Sequence, residues 1–379
     1  MTKLMDVCEL IVDCPHTTAP DEGVGYPLIR TPNIGKGRLI LENVHRVCKE
    51  VYDARNARAI PQVDDIILAR EAPAGNVALI QKGQEVCLGQ RTVLIRADKG
   101  KVNPAYLTYY LLAPKQQHDL KSSANGATVG HINMPRIRGL KIDLPALNIQ
   151  GKIAGILSAY DNLIDNYRRQ IKLLEEAAQR LYKEWFVDLR FPGYEYTKIV
   201  DGVPECWEKK SIGELLGKIK RTKQIPSSEM QKHGLYPVID QGKQYIAGYT
   251  NDASAILYNE NPIIVFGDHT RIMKLIPFPF AKGADGTQIL LSNNLKRMPQ
   301  SLFYYSLKNV DLSNYSYARH FKYLKTKIIF LPSDSIAQNF NANVFPVIKE
   351  IQKYREQIIF LMEARDRLLP KLMSGEIKV

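Results

Sequence analysis

Cysteine is sparse in this chain. Only five cysteines occur among 379 residues, their number is odd, and none forms a C-x-x-C pair. This pattern argues against a disulfide framework and against a zinc knuckle, and it predicts reduced thiols. The sequence also lacks an N-terminal signal peptide and any run approaching ~18 apolar residues. We therefore expect a cytoplasmic protein with no metal site and no membrane contact.

Recognisable catalytic motifs are also missing. There is no G-x-x-x-x-G-K-(S/T) loop, no G-x-G-x-x-G followed by a helix, and no H-x-E…C-x-x-C deaminase pattern. The nearest approach to the (D/N/S)-P-P-(F/Y/W) tetrapeptide of an amino-methyltransferase begins at Asn261, but it lacks the second proline and the aromatic residue. Asp268-His269 is more typical of a polar contact loop than of a nuclease site. The sequence therefore predicts no catalytic residue.

Positive charge is in excess. Lysine and arginine number 52 against 39 acidic residues, which gives a formal net charge of +13 and a pI near 9.3. A basic surface favours a polyanionic partner, and nucleic acid is the first candidate. On charge alone, a merely basic protein without such a partner remains an alternative.

The most informative feature is an internal repeat. A long amphipathic segment at 148–186 recurs at 335–373, shifted by 187 residues. Its apolar residues follow one another at alternating steps of four and three, which is the heptad spacing of a coiled coil. The predicted seam of the helix pair consists of Ile153, Leu157, Tyr160, Ile164, Tyr167, Ile171, Leu174 and Leu181 in the first copy, and of Val344, Val347, Ile351, Tyr354, Ile358, Leu361 and Leu368 in the second. Arg365 interrupts the second copy.

The segments around the helices repeat more faintly. Tyr26–Ile29 resembles Tyr236–Ile239, and Pro104–Tyr110 resembles Pro299–Tyr305, in the same order. Short apolar runs bounded by glycine, proline and charged residues predict strand-rich globular domains. The expected boundaries are 1–141 for the first globular domain, 142–187 for an exit strand and the first long helix, 188–327 for the second globular domain, and 328–379 for an exit strand and the second long helix.

The expected fold is α+β, with two pseudo-repeated globular domains joined by two long antiparallel helices packed as a coiled coil. The helices should pair antiparallel because each would leave its own domain toward the other. Two helices packed separately on their own domains are the alternative. Pro346 is expected to kink the second helix or delay its start, and Pro370 is expected to end or bend it.

Polar and basic residues cluster with glycine in loops between the predicted strands. Such side chains suit double-stranded DNA, since Lys and Arg bind phosphates while Arg, Asn and Gln reach base edges. For each single residue, ordinary solvated loop chemistry remains the alternative. The candidate DNA-binding residues are Arg30, Asn33, Lys36, Arg38, Arg70, Asn76 and Asn125 in the first domain, and Lys220, Arg221, Gln241, Lys243, His269, Arg271, Arg319 and Lys322 in the second.

The tandem organisation and two local signatures resemble the specificity (S) subunits of Type I restriction-modification systems. One signature is Asp13-Cys14-Pro15-His16-Thr17-Thr18 with Tyr26–Arg30 downstream. The other is Ile142-Asp143-Leu144-Pro145 leading into Tyr167–Leu181, with a second copy from Ile329 to Pro332 leading into Tyr354–Leu368. Pro204-x-x-Trp207 resembles the entry to a second recognition domain. The resemblance covers essentially the whole chain.

The resemblance implies a non-catalytic subunit whose two target recognition domains each read one half of a bipartite, asymmetric DNA site. It implies helices that fix the gap and dock methylation (M) subunits, two of them, with restriction (R) subunits joining the complex. S-adenosylmethionine, Mg²⁺ and ATP would belong to those partners, and this chain would hold no cofactor. The second domain lacks the Asp-Cys-Pro-His signature, so it should read a different half-site. The alternatives are a self-sufficient DNA methyltransferase or nuclease, and a coiled-coil adaptor that binds only protein.

Overall fold

A computed structural model describes residues 2–122, 131–284, 286–315 and 319–379. Its contacts divide the chain into two compact units. The first unit comprises residues 1–167 and 357–379, and the second unit comprises residues 168–356. Each unit contains one globular domain and a part of both long helices. This division follows contacts rather than the expected domain boundaries, which stay predictions.

The first unit is built on a five-stranded sheet of order β2-β9-β6-β7-β4, with smaller sheets β5-β3-β8 and β1-β10 beside it. All four residues of the central strand Ile66–Ala69 are buried, which explains its uninterrupted apolar run. The strands are β1 (Thr2–Lys3), β2 (Cys8–Asp13), β3 (Tyr26–Ile29), β4 (Gly37–Arg38), β5 (Arg46–Val47), β6 (Ile66–Ala69), β7 (Val77–Leu79), β8 (Cys87–Leu88), β9 (Thr92–Ala97) and β10 (Lys141–Ile142).

Four short helices complete this globular part: α1 (Lys49–Arg55), α2 (Pro104–Leu112), α3 (Pro114–Lys121) and α4 (Met134–Gly139). The start of α2 has two local causes. The Asn103 side chain accepts a hydrogen bond from the backbone N–H of Tyr106 at 3.0 Å, and Pro104 occupies the first helical position. Helix α2 packs against β7 and buries Leu107 and Tyr109. The first long helix, α5 (Leu147–Tyr182), then begins, and a π-helical turn at Lys183–Val187 ends it.

The second unit repeats this plan around a three-stranded sheet of order β18-β17-β20 and a four-stranded sheet of order β15-β14-β19-β16. Its strands are β11 (Ile199–Val200), β12 (Val203–Pro204), β13 (Glu208–Ser211), β14 (Tyr236–Ile239), β15 (Gly248–Thr250), β16 (Ile256–Leu257), β17 (Ile263–Gly267), β18 (Met273–Ile276), β19 (Phe280–Lys282), β20 (Thr287–Leu290) and β21 (Ile328–Leu331). Besides the end of α5, its described α-helices are α6 (Gln300–Lys308), α7 (His320–Thr326) and the start of α8, a helix that runs from Asp334 to Ser374.

Corresponding strands pair in the same way in the two units. Strand β3 is antiparallel to β5 and parallel to β8, and β14 is antiparallel to β15 and parallel to β19. The N–H of Gly89 donates to the carbonyl of Ile29 at 2.8 Å, and the N–H of Gly283 donates to that of Ile239 at 2.8 Å. The internal repeat predicted from the sequence is therefore present in the topology.

The long helices pair antiparallel within each unit. In the first unit, Ile153 and Leu157 near the start of α5 share a buried cluster with Leu372 near the end of α8. In the second unit, Tyr182 near the end of α5 shares a cluster with Phe340 near the start of α8. Both clusters also contain residues of the globular domains, so the helices pack on each other and on a domain at once. The α+β fold with paired long helices is confirmed.

The middle of the predicted seam is less buried than its ends. Ile164, Val344 and Ile351 are buried, as are Ile153 and Leu157. The other seam positions are half-buried: Tyr160, Tyr167, Ile171, Leu174, Leu181, Val347, Tyr354, Ile358, Leu361 and Leu368.

Neither proline interrupts the second long helix. Helix α8 runs from Asp334 to Ser374, so it neither starts late at Pro346 nor ends at Pro370, while a kink at Pro346 and a bend at Pro370 stay predictions. A proline in a helix leaves the carbonyl four residues earlier without its donor. Those two residues are Ala342 and Asp366, and both are exposed, so water can satisfy their carbonyls.

Candidate nucleic-acid interface

Three loops of the second unit meet around Gln241. Its side-chain oxygen accepts a hydrogen bond from the backbone N–H of His269 at 3.2 Å, and its carbonyl accepts one from the Thr270 hydroxyl at 2.6 Å. A Cβ added at Gly286, where φ is +71°, would lie 2.6 Å from the Gln241 side-chain oxygen. The left-handed backbone and this close approach both favour glycine at position 286. The loops that follow β14, β17 and β19 are thereby held together, with His269 exposed beside Gln241.

The start of α7 is fastened to the same place. Asp268 is buried, and its carbonyl accepts from the backbone N–H of His320 at 2.9 Å. Its carboxylate accepts from the N–H of Phe321 at 2.8 Å. Arg319, which precedes α7, and Lys322, which lies on it, are both exposed, and Asp268 sets the position of this helix. The structure thus brings these two predicted residues to the end of β17.

Arg271 and Lys243 lie in the same loops. Arg271 is exposed, has a φ of +61°, and donates from Nη1 to the carbonyl of Leu312 at 3.1 Å. Lys243 is exposed two residues after Gln241. Six predicted residues of the second unit are therefore brought to one end of its strands.

The remaining two, Lys220 and Arg221, line a separate cavity of about 360 Å³ together with Lys282. Burial lowers the pKa of Lys282, which is half-buried at the end of β19. Lys220 and Arg221 are exposed, and three cations around one cavity favour an anionic occupant because an anion there would offset the repulsion between them. Lys282 was not predicted from the sequence, because it occupies a strand rather than a glycine-rich loop.

Arg70 has a buried position in the first unit. Its Nη1 donates to both carboxylate oxygens of Asp13, at 2.7 and 2.6 Å, and its Nε donates to the carbonyl of Ile132 at 2.9 Å. Its Nη2 lies 2.8 Å from Nε2 of His131. Arg70 therefore ties the 131–132 segment to the end of β2, and Asp13 of the Asp-Cys-Pro-His signature supplies the counter-charge. Its contact with DNA stays a prediction.

Two predicted asparagines of the first unit support the loops internally. Asn76 Nδ2 donates to the carbonyl of Ile34 at 2.8 Å. Asn33 is buried, donates from Nδ2 to the carbonyl of Ile40 at 3.2 Å, and accepts from the backbone N–H of Arg30. Arg30 itself is half-buried. These amides hold the loop that carries exposed Lys36.

Lys36 has a basic neighbour that sequence reasoning missed. Desolvation, followed by the charge of Lys36, lowers the pKa of Lys121 at the end of α3. Lys121 also touches the 70–76 loop, since a Cβ at Gly75 would lie 2.6 Å from its Cε. Arg38, two residues after Lys36, turns instead toward α5 and binds Asn162 at 2.8 Å. Asn125 lies outside the described residues.

The two units use one backbone arrangement with different side chains. The N–H of Ile132 donates to the carbonyl of Arg70 at 2.9 Å, and the N–H of His320 donates to that of Asp268 at 2.9 Å. In each unit this bond fastens the segment before a short helix to the turn that follows a buried strand. A basic residue occupies the turn in one unit and an acidic residue in the other, so the scaffold is shared while the loop chemistry differs.

In the part of the chain that the structure describes, no helix is long and apolar enough to cross a membrane. Over the same residues, no group of three or more His, Cys, Asp or Glu side chains is placed to hold a metal ion.

Comparison with known proteins assigns the family. The protein-family model for the Type I restriction modification DNA specificity domain matches residues 1–176 and 204–331. These matches cover most of the chain, and the chain belongs to this family.

Individual relatives agree with the assignment. The Type I restriction enzyme MjaIX specificity subunit of Methanocaldococcus jannaschii is 29% identical over 343 residues, covering 83% of this chain and 78% of the relative. The MjaVIII specificity subunit of the same organism is 30% identical over 212 residues, covering 55% of this chain and 46% of that protein. A crystal structure of a Type-I restriction-modification system S subunit from M. genitalium has a TM-score of 0.57 and 17% identity, with 98% of this chain and 95% of that chain covered, which shows a shared fold.

Proposed function

We propose that this chain is the DNA-specificity subunit of a Type I restriction-modification enzyme, and that each globular domain reads one half of a bipartite, asymmetric DNA site. The observation that carries the proposal is the pair of equivalent backbone bonds, Ile132 to Arg70 and His320 to Asp268, beneath loops of different chemistry. A repeated scaffold with unlike loops suits a protein that must read two unlike half-sites. The excess of positive charge supports binding to the DNA backbone.

In this proposal, bases are read in the second domain around Gln241 and His269, and phosphates bind at Lys220, Arg221 and Lys282. A glutamine that is held by a neighbouring loop suits contact with an adenine edge, because its amide is already oriented. Lysines and an arginine around one cavity suit a phosphate. In the first domain, Lys36 and Lys121 would take the phosphate role.

The paired helices α5 and α8 are proposed to set the gap between the half-sites and to dock two methylation subunits. Those subunits would carry S-adenosylmethionine, and restriction subunits with ATP and Mg²⁺ would join them. This chain would act in the cytoplasm and contribute recognition alone. The antiparallel pairing within each unit supports this role, since each unit packs on both long helices.

The test is sequencing of methylated adenines in a host that expresses this chain together with its neighbouring methylation subunit. The expected result is one bipartite motif with a fixed gap, absent from a host without the chain. His269→Ala should alter the bases tolerated in one half-site and leave the other half unchanged. The matched control is His233→Ala, an exposed histidine of the same unit outside the Gln241 loops. No new motif from a folded complex would contradict the proposal.

A further inference from the structure

A charged pair interrupts the apolar contact between the long helices in the first unit. Asp161 of α5 and Arg365 of α8 are only 2% and 7% exposed. Nη1 of Arg365 donates to Oδ1 of Asp161, and its Nη2 and Nε donate to Asp366 at 2.8 and 3.0 Å. Burial alone would lower the pKa of Arg365, but the two carboxylates outweigh it and raise that pKa. Arg365 is therefore charged and internally bonded.

The globular domain reaches the same carboxylate. The hydroxyl of Tyr109, which lies on α2 and is 2% exposed, donates to Oδ2 of Asp161 at 2.6 Å. Burial and then the charge of Asp161 raise the pKa of Tyr109, so the phenol keeps the proton that it donates. Gly37 of β4 has a φ of +93°, and a Cβ there would lie 2.9 Å from Oδ2 of Asp161. Asp161 thus meets α2, β4 and α8 together.

The next turn of α5 is held by the same strand. Arg38 of β4 donates from Nη2 to Oδ1 of Asn162 at 2.8 Å and from Nε to Oδ2 of Asp165 at 3.2 Å. Its side chain is 13% exposed. Two successive residues of one strand are therefore packed against or bonded to one stretch of α5, which prevents that stretch from sliding or turning under the domain.

Apolar heptads alone allow two helices to slip by seven residues, because each slip brings apolar residues together again. The charged pair removes that freedom. In an antiparallel pair, a slip of one heptad would place Asp161 opposite Ile358 or Leu372 instead of Arg365. Both alternatives are aliphatic, and a buried carboxylate without a cation is strongly unfavourable. A single register satisfies Asp161, Arg365 and Tyr109 at once.

We propose that Asp161, Arg365 and Tyr109 are positioning residues that fix the register of α5 against α8 beneath the first recognition domain, and thereby select one gap between the half-sites. This inference rests on the proposed function. It concerns the permitted gap and not the bases read, since none of the three side chains lies in a candidate reading loop. Replacing a buried ion pair by apolar residues is often neutral or stabilising, so such a variant can test the effect on the gap without unfolding the protein.

The experiment compares the wild-type chain with its Y109F and Y109F/D161L/R365M variants, each expressed with the neighbouring methylation subunit. Sequencing of methylated adenines measures how often sites are modified when their gap differs from the wild-type gap by about three base pairs, which corresponds to the ~10 Å displacement of a one-heptad slip. The triple variant leaves no buried charge or hydroxyl unpaired, so it should fold, and modification at the altered gaps should rise by about tenfold. Y109F should give a smaller rise in the same direction. The bases of both half-sites should not change.

Arg367→Met is the matched control. Arg367 lies on the same helix and pairs with Glu363 in solvent, with 83% of its side chain exposed. Its removal should leave the gap distribution as in the wild type. Suppose that the wild-type chain gives a bipartite motif, and that the folded triple variant and Y109F both give the wild-type gap distribution. This result would overturn the inference and leave the proposed function standing. Absence of any bipartite motif with the wild-type chain would overturn the proposed function and the inference with it.

Discussion

A heptad inserted into both long helices should lengthen the recognised gap. We would insert seven residues after Tyr167 in α5 and seven after Glu356 in α8, where one unit ends and the other begins. Every contact inside a unit is then kept. The Asp161–Arg365 pair lies wholly in the first unit, and the 2.7 Å bond from Arg355 to Glu175 lies wholly in the second. Seven residues add ~10 Å, which corresponds to ~3 base pairs of DNA.

Rotation limits how well the longer chain can bind. Seven residues of a straight α-helix rotate through two full turns less ~20°. Three base pairs rotate the second half-site by about 100°, because B-DNA completes a turn in 10–10.5 base pairs. Because the heptad falls ~20° short of two full turns while the DNA advances by about 100°, a mismatch of ~120° must be absorbed by twisting of the DNA or the protein, so we expect weaker binding together with the longer gap.

Sequencing of methylated adenines reads the gap, and competition binding with synthetic duplexes of each gap length reads the affinity. Inserting the heptad into α5 alone is the control, since it mismatches the helices and should abolish specific methylation. A folded double insertion that still methylates only the original gap would refute the idea that the helices measure the distance.

Three further predictions concern single residues. Lys282→Met should weaken binding to all DNA sequences alike. In anisotropy titrations it should reduce the slope of log affinity against log salt by about 0.9, the value for one phosphate contact. Lys353→Met on the exposed face of α8 is the control, and an unchanged slope in the Lys282 variant would exclude Lys282 from the phosphate site. Phe340→Ala should lower the free energy of unfolding, measured in urea, by about 3–5 kcal/mol, because this fully buried ring contacts four other aromatic rings. A decrease in the free energy of unfolding of less than ~1 kcal/mol would contradict that packing. At pH 8, iodoacetamide should label exposed Cys206 before buried Cys87. Burial raises the pKa of Cys87 to about 11, so about one Cys87 side chain in a thousand is a thiolate at this pH, and equal labelling rates of the two cysteines by mass spectrometry would refute this prediction.

The long helices and the repeated domains could be predicted from the sequence because their signals are periodic and local. Apolar residues at steps of three and four specify one helical face wherever the helix later packs. The same signal cannot tell how far a proline disturbs a helix, as the unbroken passage of α8 through Pro346 and Pro370 demonstrates. That outcome depends on whether the released carbonyls reach water.

The candidate site was predicted less completely. Glycine-rich loops marked Gln241 and His269, which the structure brings together. Lys282 was not predicted because it lies on a strand, and because the cavity that it lines is formed by segments distant in the chain.

What the sequence by itself determined was the duplicated architecture, through a repeat shift of 187 residues and heptad spacing that need no knowledge of contacts. The resemblance of its local signatures and tandem organisation indicated the family, and the family-model match confirmed it. Only the tertiary structure decided which charged residues face inward. Arg70 binds a carboxylate 57 residues away, Arg38 binds one 127 residues away, and Arg365 binds one 204 residues away. The desolvation of a charge and the partner that compensates it are non-local properties, whereas helical periodicity is written in neighbouring residues.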